Sequence, residues 1–241
     1  MAKTALITGG SGTIGSAAAR LLARDYNVVI GYGTNKESAQ NIKAEIISAG
    51  GEAEILCADV ACSQNTVALA AFVADRYGRI DVLVNSSGVA LYKLAAKTTD
   101  QEWQRVFDVN VKGVFNMCRA ALPHMISQKS GAIINISSMW GVTGAACETA
   151  YSASKAAVIG YTKALAKEMA PSGITVNAVA PGFVDSGMNA TLSKADRDAF
   201  IECTPLGRAG TPQDIADTIL FLAKNTFITG QVICVDGGVV I

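Results

Sequence analysis

Seven short apolar runs alternating with longer helical patterns predict an α/β fold: a doubly wound, mainly parallel seven-stranded sheet with helices on both faces. Most of the runs are continuously apolar and rich in β-branched residues, as expected of parallel strands covered on both sides. No linker, repeat or low-complexity tract interrupts the 241 residues, so residues 1–241 read as a single domain.

The strands are placed at Thr4–Thr8, Asn27–Gly31, Glu54–Ala58, Val82–Asn85, Ala132–Ser137, Thr175–Ala180 and Gln231–Val235. Helical periodicity predicts helices near Gly15–Arg24, Lys36–Ala49, Ser63–Arg76, Asp100–Ser127, Ala153–Met169 and Pro212–Ala223. Pro171 fits a helix that stops just before it. Two stretches, Trp103–Met125 and Ala153–Leu165, carry apolar residues on more than one face. Such helices are buried on several sides. Either a second subunit covers them, in a homotetramer or a dimer, or the monomer core is thick; the first is favoured because soluble proteins so often form symmetric oligomers.

Composition narrows the function. Twenty basic and twenty acidic residues give a formal net charge of zero, which offers no general attraction to nucleic acid or an anionic membrane. Six cysteines, none in a C-x-x-C pair, and a single histidine, His124, make a metal site an unfavoured reading. The cysteines read as small buried hydrophobes of a reducing compartment. With no signal-peptide pattern at Met1-Ala2-Lys3-Thr4, the expectation is a cytoplasmic protein outside the membrane.

The segment Thr8-Gly9-Gly10-Ser11-Gly12-Thr13-Ile14-Gly15 follows the first strand and opens the first helix. Glycines there permit a tight turn and close approach to a pyrophosphate, and the helix N-terminus offers free N–H groups, as in a Rossmann-type unit. Gly9, Ser11, Gly12, Thr13 and Gly15 are therefore cofactor candidates; a plain turn is the alternative. After the second strand, where an NAD enzyme usually carries an acid for the ribose 2′-OH, the chain reads Gly31-Tyr32-Gly33-Thr34-Asn35-Lys36. Without a carboxylate to repel a 2′-phosphate, and with Thr34, Asn35 and Lys36 at a helix start, NADP(H) is favoured over NAD(H). Thr34 can also simply cap the helix, and both roles can hold at once. Asp59-Val60 and Asn85-Ser86-Ser87-Gly88 close the third and fourth strands, at the edge where open α/β sheets bind ligands. Asp59 reads equally well as a helix cap.

Tyr151 and Lys155 stand four residues apart, on one face of a helix. A phenol titrating near 10 is a poor acid–base group at neutral pH, and an adjacent ammonium lowers that value. Tyr151 can then protonate a carbonyl oxygen as hydride reaches the carbon, or run the step in reverse. Ser138, at a strand end, can hold the substrate oxygen and steady the phenol. Asn110, inside an apolar helical stretch, needs partners; a relay role is favoured over a bond to a local carbonyl alone. A dinucleotide-binding scaffold without catalysis is disfavoured, because binding alone would not need Tyr151.

With these pieces in place, the chain resembles the classical short-chain dehydrogenase/reductase family over essentially its whole length. The matching segments are the glycine loop, Asn85-Ser86-Ser87-Gly88, Asn110, Ser138, Tyr151-x-x-x-Lys155, Val176-Asn177, Pro181-Gly182 and Thr229-Gly230-Gln231 through Val235-Asp236-Gly237-Gly238. The resemblance implies a catalytic tetrad of Asn110, Ser138, Tyr151 and Lys155. It also implies cofactor contacts from Ile14, Asn85, Ser86, Ser87, Gly88, Lys155, Pro181, Gly182 and Val184, with Ser186 where the family has a threonine near the carboxamide. Thr13 occupies the family's middle glycine, which puts a Cβ near the pyrophosphate, and Gly12 stands where an arginine is frequent. Within the family the chain looks most like 3-oxoacyl-[acyl-carrier-protein] reductases, which dock their acidic partner on two basic residues; Lys129 keeps one and Ser172 replaces the other. Ser138-Met139-Trp140-Gly141, Gly144 to Glu148, and Met188-Asn189 resemble a subset that reduces an aminopentanone-modified lysine on elongation factor P. Met139, Trp140, Phe183 and Met188 are candidate pocket walls, each of which could equally be core, together with a helix-like stretch from about Gly187 to Cys203 that sits where the family carries a substrate lid. Glu148 is either a partner for a cationic substrate or a surface carboxylate.

Overall fold

In the computed structural model, which describes residues 2–185 and 193–241, the seven strands are β1 (Lys3–Thr8), β2 (Tyr26–Tyr32), β3 (Ala53–Cys57), β4 (Val82–Asn85), β5 (Gly131–Ile136), β6 (Ile174–Pro181) and β7 (Val232–Val235). Each expected strand is present, with its ends within a residue of those the sequence indicates. They pair in parallel throughout, in the order β3-β2-β1-β4-β5-β6-β7. Strand order reverses between β1 and β4, which opens a crevice at their carboxyl ends.

Two apolar clusters fill the faces of the sheet. One joins Ile7, Ile30, Val84 and Ile134 to α1 (Thr13–Leu22), α2 (Lys36–Ser48) and α9 (Pro212–Lys224). The other joins Leu6, Val29, Leu83 and Ile133 to α3 (Ser63–Tyr77), α5 (Gly113–Gln128) and α7 (Thr149–Met169). Alternate residues of β1 thus enter opposite layers, which is why Ala5, Leu6 and Ile7 are apolar in succession.

The structure divides the stretch expected as one helix, Asp100–Ser127. It consists of α4 (Asp100–Phe107), a π-helical turn (Asp108–Lys112) and α5. The Gly113 N–H reaches back to the Asp108 carbonyl, and the extra residue turns the Asn110 side chain inward. Helix α4 starts with a reciprocal Thr99–Glu102 capping box. α1 begins two residues earlier than expected, at Thr13 with Gly12 as N-cap. α7 begins at Thr149 rather than Ala153. α6 (Trp140–Thr143) was not anticipated, whereas α8 (Lys194–Glu202) falls within the stretch expected to be helix-like and is capped by Ser193, which accepts from the Asp196 N–H.

The Val176-Asn177 and Thr229-Gly230-Gln231 segments have a shared structural role. The Asn177 amide donates to Ile228 O at 2.8 Å and accepts from Gln231 N at 3.0 Å, and Thr229 Oγ1 accepts from Val176 N, so the turn before β7 is pinned to β6. At Gly182 an added Cβ would lie 2.6 Å from Asp236 Cα, which is how the Pro181-Gly182 turn and the Asp236-Gly237-Gly238 segment pack together.

The cysteine expectation needs correction. Cys118 is buried, but Cys57 and Cys203 are exposed and Cys62, Cys147 and Cys234 are half-buried. Cys57, Cys62 and Cys203 lie at strand or helix ends, and Cys147 sits in a left-handed turn at φ +61°. No helix among the described residues is long and apolar enough to cross a membrane, and no cluster of His, Cys, Asp or Glu there could hold a metal.

Candidate active site

The carboxyl ends of the strands open onto one cleft of about 2040 Å³. Its walls bring together Gly9, Ser11, Gly12, Thr13 and Ile14; Thr34 and Asn35; Asp59 and Val60; Ser86, Ser87 and Gly88; Ser138, Met139, Trp140, Glu148, Tyr151 and Lys155; and Pro181, Gly182, Phe183 and Val184. Residues spread over the whole chain meet here because parallel strands all deliver their loops to the same edge.

At one end the glycine loop is drawn tight. Gly9 sits at φ +62°, and a Cβ on it would lie 2.7 Å from Ser87 N, so the first loop and the one after β4 pack backbone to backbone. Gly12 N–H donates to Gly9 O at 2.9 Å and closes the turn. Gly15 is not on the cleft wall; its missing Cβ would overlap Gly9 O, so it serves the packing of α1 against the loop. These close approaches leave a cradle of backbone at the start of α1, which fits a dinucleotide pyrophosphate.

Several expectations for this end change. Asn35, not Thr34, caps α2, accepting from Ser38 N at 3.0 Å, and Ser38 Oγ donates to Ser11 O, tying the helix start to the glycine loop. Lys36 is exposed and off the cleft wall. Asp59 is no helix cap: Cys62 holds that position, and the Asp59 carboxylate accepts from Ala61 N in a local turn. Asn85 is 2% exposed and points into the core, where its amide donates to Asn135, which in turn donates to Thr162. As the last residue of β4 it faces the interior, and only Ser86–Gly88 reach the cleft.

At the other end stand the chemical groups. Tyr151 and Lys155 are 9% and 4% exposed, and Lys155 Nζ lies 5.6 Å from the Tyr151 ring centroid. The ammonium donates to Ile136 O at 2.8 Å. Burial lowers Lys155 from the ordinary lysine value to about 8. Burial likewise pushes Tyr151 up to about 12, against a downward pull from its hydrogen bond with Ser138; the carboxylate of Glu148 adds to the rise. In the protein alone the phenol is therefore raised, not lowered as the spacing to Lys155 suggests. Gly141 lets α6 close on α7, since a Cβ there would lie 2.7 Å from the Lys155 carbonyl carbon.

Asn110 is fully buried and off the cleft wall. Its amide accepts from Val89 N and donates to Val89 O and to Ser154 Oγ. The side chain is thus spent on holding neighbouring elements.

On the substrate side Trp140 hydrogen-bonds Glu148, whose carboxyl is pushed upward by burial. Sequence reasoning missed Phe200 of α8, which stacks on Phe183 at 4.9 Å and 12° and lies 6.5 Å from Trp140. The Ser193-x-x-Asp196 cap was the available signal for this helix. Asp185 and Arg197 form an ion pair at 2.6 Å that tethers α8 to the segment after β6. Ser186 and Met188 lie outside the described residues. Lys129 and Ser172 lie at the amino ends of β5 and β6, on the edge of the sheet opposite the cleft.

A proton-holding phenol beside a hydroxyl and a buried ammonium, in one cleft with a pyrophosphate cradle, defines a nicotinamide-dependent oxidoreductase of the alcohol–ketone type. The chain belongs to the short chain dehydrogenase family, whose model matches residues 3–197. It is 44% identical over 241 residues to the 3-oxoacyl-[acyl-carrier-protein] reductase FabG of Staphylococcus aureus, covering 99% of this chain and 98% of that one. The FabG of Thermotoga maritima is 41% identical, covering 99% and 98%. The crystal structure of gox2181 superimposes with a TM-score of 0.94 at 32% identity, covering 99% of this chain and 95% of that one.

Proposed function

We propose that this protein is an NADPH-dependent ketoreductase that converts a 3-oxoacyl group on acyl carrier protein to the secondary alcohol. The observation that carries the reading is the convergence of Ser138, Tyr151 and Lys155 on one cleft wall. The bound nicotinamide supplies the hydride. Tyr151 holds the proton destined for the carbonyl oxygen, Ser138 orients that oxygen and the phenol, and Lys155 keeps a positive charge beside the ring that must lose a proton. Asn110 acts from behind, by holding Val89 and Ser154. The relatives named for this reaction support the choice of substrate. NADPH is favoured over NADH because Gly33, Thr34 and Asn35 line the far end of the cleft with no carboxylate among them. Phe115, Ile126 and Trp103 remain 42%, 42% and 41% exposed along α4 and α5, an apolar face that suits a homotetramer or dimer.

A second reading, a ketone on elongation factor P bearing a cationic amine, is favoured by one feature: the half-buried Glu148 carboxylate on the substrate wall. Oxidation of NADPH and NADH with an acetoacetyl thioester and with a cationic aminoketone separates the two. Tyr151→Phe is expected to lose turnover and keep nucleotide binding; persistent turnover would refute the mechanism.

A further inference from the structure

Tyr151 and Lys155 work only if α7 is held at a fixed distance from the loop after β4. Two contacts secure the helix at Lys155: Ser137 Oγ donates to Lys155 O at 2.9 Å, and α6 packs on its backbone at Gly141. A third contact lies one residue earlier, at Ser154. Ser154 is fully buried, and its hydroxyl donates to Tyr151 O at 2.7 Å. Ser154 Oγ in turn accepts from Asn110 Nδ2 at 3.0 Å.

Both N–H donors of the Asn110 amide are occupied, by Val89 O at 2.9 Å and by Ser154, and its oxygen accepts from Val89 N at 2.8 Å. Val89 lines the cleft next to Gly88. A Cβ on Gly88 would lie 3.4 Å from both Asn110 Oδ1 and Lys155 Nζ, so the loop, the amide and the ammonium meet at one point. The chain of bonds runs from the cleft loop through Asn110 and Ser154 to the backbone of Tyr151.

We infer that Ser154 is a positioning residue: its hydroxyl couples Asn110 to the Tyr151 backbone and so sets the register of the catalytic helix against the cleft loop. It touches neither substrate nor nucleotide. The titratable groups facing Tyr151 are Lys155 on its own helix and Glu148 at the helix start, and the Ser138 hydroxyl comes from the end of β5. A small rotation of α7 moves the phenol relative to the Ser138 hydroxyl and carries the Lys155 ammonium away from Ile136 O. Misplacement on the ångström scale is costly for proton transfer.

The inference rests on the ketoreductase reading, and the test separates the two. Wild type against Tyr151→Phe decides whether the phenol does the chemistry. Wild type against Ser154→Ala decides the brace. Ser154→Ala is expected to lower kcat by about tenfold while KM changes by less than about threefold. The pH profile of kcat and the ionisation of Tyr151 in nucleotide-free protein, read as the ultraviolet difference from Tyr151→Phe, are expected to shift together. Ser154→Cys, which keeps the size and bonds weakly, is expected to fall between the two. Adding Ser154→Ala to Asn110→Ala is expected to cost little more than Asn110→Ala alone, because the two act as one unit. A purely structural serine would lower the melting temperature and leave kcat, its pH profile and the phenol ionisation unchanged, and that result overturns the inference.

Discussion

Lys155 combines enclosure with a charge that the surrounding protein disfavours, and this makes its replacement by methionine informative. Its folded-state value of about 8 lies below the ordinary 10.5, with burial as the cause. That difference corresponds to a penalty of roughly 3 kcal/mol for keeping the ammonium in the folded protein. Below about pH 8 both folded and unfolded chains hold the proton, so the penalty is fully present at pH 7. Between about 8 and 10.5 the unfolded chain holds more protons than the folded one, and this group's contribution to stability rises with pH. Lys155→Met fills similar space without the charge. It forfeits the donor to Ile136 O, which costs about 1–2 kcal/mol. The net expectation is a stabilisation of about 1–2 kcal/mol at pH 7, or a rise in Tm of about 2–6 °C for a chain of this size. Turnover is expected to vanish, the usual conflict between stability and function at a site. Calorimetry of both proteins without nucleotide, at neutral pH and near pH 10, provides the assay. A lower Tm for the variant at pH 7, or a gain that does not shrink as pH rises, refutes the reasoning.

Two further replacements probe the substrate wall. Phe200→Ala removes the ring stacked between α8 and Phe183 and is expected to reduce kcat/KM for a 3-oxoacyl thioester by about tenfold with nucleotide affinity unchanged; unaltered kcat/KM would take α8 out of the substrate site. Glu148→Gln is expected to weaken a cationic ketone by about tenfold or more and a neutral one far less, since only the former loses a charge partner; equal effects on both would reject the cationic reading. Steady-state kinetics with paired substrates serves both.

Strand placement, the alternation with helices and the meeting of Ser138, Tyr151 and Lys155 at one cleft were legible in the sequence. Apolar continuity in β1 and β4 reports burial on both faces, and the i, i+4 spacing of Tyr151 and Lys155 reports a shared helix face; both are local periodicities. The π turn at Asp108–Lys112 was not legible, because one extra residue in a helical ladder leaves the apolar pattern almost unchanged. Nor was the fate of Asn85, Asn110 and Gly15. Each is a type that binds ligands elsewhere in such folds, but here Asn135, Val89 with Ser154, and the carbonyl of Gly9 claim them. The sign of the Tyr151 shift also depended on tertiary structure: spacing puts an ammonium near the phenol, but only the packed core shows how much water both have lost. Sequence alone therefore determined the sheet, its carboxyl-end cleft and the shared helix face of Tyr151 and Lys155, since these follow from chain-local pattern. Tertiary structure decided which polar groups remain free to act, because hydrogen-bond partners and desolvation come from residues distant in the chain.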